Sequence, residues 1–383
     1  MTWQPHAVAG VLVCVGGVAL VGCHGSPEEP ARGDAGLDAG RPRDRDAGPR
    51  EAGLPDAPGR DAGVRDAAVL DAAVLDGAAD SGVADSGTAA CGEPLQVGAV
   101  AVPGLPVSLA PNGGGFVYVA QSLRGLISID ARDPTAMVAL GEIAYDQPSG
   151  IATDGDRLVI TSHDGAFGYH VNVLGLSDPS SPSPLYVIDD GGLSRSEMLS
   201  GTELIDVRYS EVAIWTLGPA SATFVGAVAV PAGAGVEGAR DRDRVAVVGG
   251  GGTTWVIDVS SPFAPTVVAM AETGARAYGV AILGDRIYVA GSTLVVLALE
   301  GGALRVVDSV SYGDWISAVA IWRDTLVVLG SSGLILADPA APSIHRAEIG
   351  AGGSTLAVGG DLAYIGVGGY GGPGFVYAVD LCP

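Results

Sequence analysis

The stretch Arg244–Ala281 reads RVAVVGGGGTTWVIDVSSPFAPTVVAMAETGARAYGVA, and the fold turns on it. Val245–Val248 is a short β-branched run ended by Gly249–Gly252. Trp255–Val259 is a second run, closed by the proline-bearing turn Ser260–Pro265. Thr266–Ala271 is a third, and after a glycine-bearing loop Tyr278–Ile282 makes a fourth. Four runs in about forty residues, each bounded by Gly, Pro, Asp or Ser, predict one four-stranded antiparallel unit. The runs are apolar on both faces, so the unit must be sandwiched between copies of itself.

Such copies fill residues 91–383. Second strands are expected at Phe116–Ala120, Leu158–Ser162, Leu204–Tyr209, Val245–Val248, Ile287–Ala290, Leu326–Leu329 and Ala363–Val367. Third strands follow at Gly125–Asp130, His170–Leu176, Val212–Leu217, Trp255–Val259, Leu294–Leu299, Gly333–Asp338 and Phe375–Leu381. First strands precede them, as in Ser149–Ala152, Tyr278–Ala281, Ser317–Ala320 and Ser354–Ala357. Seven units of about 42 residues match the size of a propeller blade. The third unit is the weakest copy, because its second and third strands nearly fuse in LIDVRYSEVAIWTL.

The text Trp255-Val-Ile-Asp258-Val-Ser-Ser-Pro262 has relatives in Ile127-Ser-Ile-Asp130 and Leu334-Ile-Leu-Ala-Asp338-Pro339. It is similar to the LVIVD repeat of bacterial β-propellers, a resemblance that covers roughly residues 107–383. The resemblance implies an all-β, seven-bladed β-propeller with four-stranded antiparallel blades and says almost nothing about activity.

The chain ends suggest how the ring closes. The last unit lacks an outer strand, while Leu95–Val102 (LQVGAVAV) is a strand without a unit. This N-terminal strand is expected to complete the last blade, so that LCP and CGEP face each other where other units have a turn. Cys91 and Cys382 are then expected to form a disulfide across the seam, which an oxidising compartment permits.

The first ninety residues read differently. Ala7–Val21 is an apolar run too short for a comfortable membrane span. Leu20-Val21-Gly22-Cys23 resembles the lipobox of bacterial lipoproteins. That resemblance implies a signal peptide over residues 1–22, lost together with Cys14, and a lipid such as palmitate on Cys23. His24, rather than Asp, after the lipidated cysteine implies the outer membrane. Residues 23–90 repeat Asp-Ala-Gly at Asp34, Asp38, Asp46 and Asp61, and no aromatic residue occurs between Trp3 and Phe116. Such sequence cannot bury enough apolar surface to offset chain entropy and is expected to be a disordered tether. Sixty-seven flexible residues would reach roughly 45 Å, enough to clear a membrane surface. The membrane, through this lipid, is one expected partner.

The net charge is −23, and all 20 basic residues are Arg. The acidity excludes nucleic acid as a partner, since phosphate binding needs clustered cations. Its simplest role is solubility of a monomeric propeller. No cysteine pair has metal-site or redox spacing. No GxSxG elbow occurs, and the runs Gly249–Gly252 and Gly368–Gly372 lack the Lys-Ser/Thr and helix of a phosphate loop. They read as turns that use positive φ. His163 and His170 flank a loop with Asp164, a thin basis for a metal. No catalytic residue, cofactor or metal ligand is assigned.

Trp215, Trp255 and Trp322 read as packing between blades, and Arg240–Arg244 (RDRDR) as a solvated turn between first and second strands. Tyr145, Tyr278, Tyr312, Trp315 and Tyr370 fall near inter-blade loops, which ring one face of a propeller and form the candidate binding set. The sequence therefore predicts an envelope lipoprotein whose propeller binds or scaffolds a protein or carbohydrate ligand. The alternative is a hydrolase or lyase with its site at the central channel. An envelope assembly factor using an outer blade edge is a third possibility. Converging charges in the channel would favour the enzyme, and a plain Ala and Gly lining would favour binding. Glu203 and Glu237 are the charged exceptions expected there.

Overall fold

The computed structural model describes residues 91–383 except 164–167, 190, 232–236, 275, 351 and 369–371. Residues 1–90, with the expected signal peptide, Cys23 and the tether, lie outside the described residues.

The described chain folds into seven four-stranded antiparallel sheets, the blades of a β-propeller. Blades 1 to 6 occupy residues 105–143, 150–188, 194–229, 237–272, 279–310 and 316–349. In each, the four strands pair in chain order from the axis outward. The inner strands are Leu105–Pro111, Gly150–Thr153, Ser194–Ser200, Glu237–Asp241, Gly279–Leu283, Ile316–Trp322 and Thr355–Gly359. Every expected second and third strand overlaps a strand of that rank. Tyr209 and Ser210 alone separate Glu203–Arg208 from Glu211–Leu217, which explains why blade 3 reads as nearly fused.

One expectation changes. Arg244–Ala281 is not a single blade. Arg244–Val248, Thr253–Asp258 and Thr266–Glu272 are strands two to four of blade 4, and Gly279–Leu283 is the inner strand of blade 5. The apolar run at Tyr278 therefore closes no blade with its predecessors and takes its expected place as the first strand ahead of Ile287–Ala290.

Blade 7 closes the ring. Its order is Leu95–Val102, Gly374–Asp380, Leu362–Val367, Thr355–Gly359 from the outside in, so the first strand of the domain is the outer strand of the last blade. Cys91 and Cys382 form a disulfide with Cα atoms 4.5 Å apart.

Packing follows from strands apolar on both faces. Val245 and Val247 pack toward blade 3 with Ile205, Val207 and Ile214. Their strand neighbours Ala246 and Val248 pack toward blade 5 with Val280 and Val289. Alternation along one strand thus feeds two inter-blade cores. Tyrosines add a repeated tie. Tyr118 Oη donates to Pro179 O (3.1 Å), and Tyr288 Oη to Pro339 O (2.9 Å), each from a second strand to the outer turn of the next blade.

Candidate functional site

The inner strands leave a channel along the ring axis. At the end where these strands begin it encloses about 230 Å³ and is lined by all seven blades. Most blades contribute small groups, such as Ser108, Gly150, Gly279, Ser317 and Ser354. Two of these hydroxyls are tied to backbone: Ser317 Oγ to Gly353 O (2.8 Å) and Ser354 Oγ to Gly366 O (3.3 Å). The opposite mouth, about 540 Å³, is bordered by Pro111, Met198, Arg240 and Arg242.

Blades 3 and 4 break the small lining with Arg195, Glu197 and Glu237. The inner strand of blade 3 reads SRSEMLS, and its pairing slips by one residue between Ser194 and Ser196. Alternation turns Ser196 toward blade 4, where its hydroxyl donates to Glu237 Oε1 (2.8 Å) and accepts from Gly238 N–H (3.3 Å). It turns Glu197 toward blade 2, where Thr161 Oγ1 donates to Glu197 Oε1. Gly150 leaves room for it, because a Cβ at that position would collide with the Glu197 carboxylate.

Glu197 is only 7% exposed. Burial, then the neighbouring Asp206 charge, push its carboxyl up to about 8 against the pull of Thr161. Glu237 is pushed up to about 7 by burial, opposed by its bonds from Ser196 and Gly238. Its side chain borders the lumen and is partly exposed there. Glu197 Oε2 and Ser149 Oγ are buried with no hydrogen-bond partner among the described residues, which is costly for a polar atom.

A buried ion network backs this cluster. Arg208 Nε meets Asp206 Oδ2 at 2.7 Å and its guanidinium meets Glu211 Oε1 at 2.8 Å. The same guanidinium lies 5.6 Å from the Trp215 ring centre.

The candidate aromatic set divides. Tyr278 borders the channel mouth, and its ring centre lies 4.2 Å from that of Trp315, which is 39% exposed. Arg276 sits 5.4 Å from the Tyr278 ring centre. Tyr145 instead packs against the core between blades 1 and 2. Tyr312 packs between blades 5 and 6, with its hydroxyl on Pro342 O (2.9 Å). Tyr370 lies outside the described residues. Trp215, Trp255 and Trp322 are buried.

Other expectations move. Glu203 opens the second strand of blade 3 and pairs with Arg240 at 2.7 Å, so it is not an inner-strand residue. Glu197, six residues earlier, holds that place. Only Arg242 and Asp243 form the expected charged turn, and the segment is not merely solvated: Arg240 ties blade 3 to blade 4 and Arg244 pairs with Asp285 of blade 5. Gly249–Gly252 is a turn with Gly252 at φ +85°. The His163 and Tyr169 rings lie tilted with centres 4.5 Å apart, and His170 lies 3.6 Å from Asp189. Among the described residues no three His, Cys, Asp or Glu side chains converge as a metal site.

No protein-family model matches the chain, and no curated protein matches it. Solved β-propellers do. The WD40 repeats of RRP9 match at TM-score 0.57 and 14% identity, covering 76% of this chain and 99% of that one. The WD40 β-propeller domain of Doa1 matches at TM-score 0.57 and 9% identity, covering 74% and 96%. At such identity the likeness shows the fold alone.

Proposed function

We propose that the protein is a lipid-anchored envelope β-propeller of the LVIVD type, and that it binds a protein or carbohydrate ligand at the mouth where the inner strands begin. The observation that carries this reading is the Tyr278–Trp315 pair, with Trp315 exposed, beside a polar, seven-sided channel. An aromatic platform next to a few convergent polar groups is the usual make-up of a recognition site. Lipidation at Cys23 and a tether over residues 24–90 would hold that mouth away from the outer membrane.

Glycan and peptide arrays probed with the full chain test the binding half. Ligands bound by the wild type should be lost with Trp315→Ala or Tyr278→Ala, and unchanged binding by both variants overturns the assignment. Metabolic labelling with an alkyne-bearing fatty acid tests the anchor. The label should be absent from Cys23→Ala, and equal labelling of the variant overturns it.

The carboxylates Glu197 and Glu237 are the specific observation that favours the hydrolase or lyase alternative, because a buried protonated acid beside a second carboxylate is general acid–base equipment. A ligand found on the arrays and consumed by wild type but not by Glu197→Gln would select it.

A further inference from the structure

We propose that the side of the channel mouth formed by blades 2 to 4 binds a primary alkylammonium group. This deepens the binding-site reading above and rests on it. An alkylammonium presents three N–H donors and no acceptor. The site offers Glu197 Oε2 and Ser149 Oγ, both buried without a hydrogen-bond partner among the described residues, together with the Glu237 carboxylate. Tyr278 and Trp315, tilted against each other at the rim, are rings of the kind that attract a cation, and Arg276 already lies 5.4 Å from the Tyr278 ring centre. The cavity of about 230 Å³, bordered by Gly150, Gly238 and Gly279, has room for an aliphatic stem.

The charges facing the site are mixed, and their placement favours a cation. From blade 3 come Glu197, Arg195 on the same strand and Asp206 behind it. Arg195 leans toward blade 2, its guanidinium 5.8 Å from the Tyr169 ring centre. Asp206 is held by Arg208. Blade 4 adds Glu237, and blade 2 adds the Thr161 and Ser149 hydroxyls. An ammonium is preferred to a bare divalent cation, because no three-ligand cluster is present among the described residues. Binding has a proton balance: the ammonium keeps its proton, Glu197 gives up the one it holds near neutrality, and the buffer takes it up.

The test is calorimetric titration of the full chain at pH 7 with n-butylammonium chloride and with Nα-acetyl-lysine amide, in two buffers of different ionisation enthalpy. Saturable binding with release of up to one proton per site is expected, weakened at least tenfold by Glu197→Gln and by Glu237→Gln. Tetramethylammonium, which has no N–H, should bind at least tenfold more weakly. Binding of the lysine amide as well as butylammonium identifies a peptide side chain as a source, whereas butylammonium alone identifies a free amine. Proton release needs no variant, so a misfolded variant does not remove the test. Absence of binding by both amines, or tighter binding of calcium chloride with the same proton release, overturns the proposal. If the amines fail while Trp315→Ala still abolishes array binding, the ligand class is wrong and the binding mouth stands.

Discussion

Glu197 and Asp206 stand directly opposite each other across the two inner strands of blade 3, two carboxylates in register inside the ring. Like charges that close cannot both ionise freely. Arg208 Nε lies 2.7 Å from Asp206, and burial first, then the neighbouring Asp206, raise the Glu197 carboxyl to about 8. The proton on Glu197 is therefore a property of its burial and of the carboxylate opposite it.

Stability should fall as pH rises. Glu197 titrates near 4.5 when unfolded and about 8 when folded, so between those values the folded chain binds more protons than the unfolded one. Its contribution is complete below pH 4.5, declines up to about 8 and is level above. Thermal unfolding of the wild type between pH 5 and 9 should show a loss on the order of 2–5 kcal/mol. Glu197→Gln should flatten most of it and leave the smaller slope from Glu237, complete by about pH 7. Identical slopes in wild type and variant would refute the assignment.

Gly150→Ala should cost about 1–3 kcal/mol, because the new methyl overlaps the Glu197 carboxylate. The cost should shrink in a Glu197→Ala background, where the obstructing group is gone. Equal costs in both backgrounds, measured by urea unfolding, would mean the strain lies elsewhere.

Tyr118→Phe and Tyr288→Phe should each cost about 1 kcal/mol, the net worth of a hydroxyl bond to the next blade's outer turn. The two sites lie in different blades, so the double variant should show the sum. A variant with wild-type stability would show that its hydroxyl bond adds nothing net.

Removing the seam disulfide should be the most damaging of these changes. Cys91 and Cys382 are separated by 291 positions, and closing a loop of that length is worth about 5–6 kcal/mol in the chain-entropy model. Cys91→Ser with Cys382→Ser, or reduction of the wild type, should lower the urea midpoint in step. A midpoint unmoved by dithiothreitol would contradict this.

The strands were legible because each β-branched run, such as Val245–Val248 or Leu326–Leu329, is bounded by Gly, Asp or Pro. Ring closure was legible because Leu95–Val102 had no partner of its own and two cysteines flanked the gap. The polar side of the channel was not. In SRSEMLS the only apolar residues are Met198 and Leu199, so the inner strand of blade 3 carries no strand signal in its text. What makes it a strand is pairing with Glu203–Arg208, a neighbour that propensity does not see. The charge nearest an apolar run, Glu203, was therefore assigned the role that Glu197 fills. The text offers five aromatic residues near loops, with Trp315 the foremost for exposure, and only the packing separates Tyr278 and Trp315 at the rim from Tyr145 and Tyr312 against the cores.

The seam also sets how the domain carries a mechanical load. A pull on the polypeptide ahead of Cys91 reaches the Cys91–Cys382 bond before it reaches the first hydrogen bond of Leu95–Val102. Force from that direction is handed to the last residues of blade 7 by a covalent link, and the outer strand is spared from being unzipped. With the bond reduced, the same pull would peel that strand one rung at a time and open the ring at its only non-sequential blade.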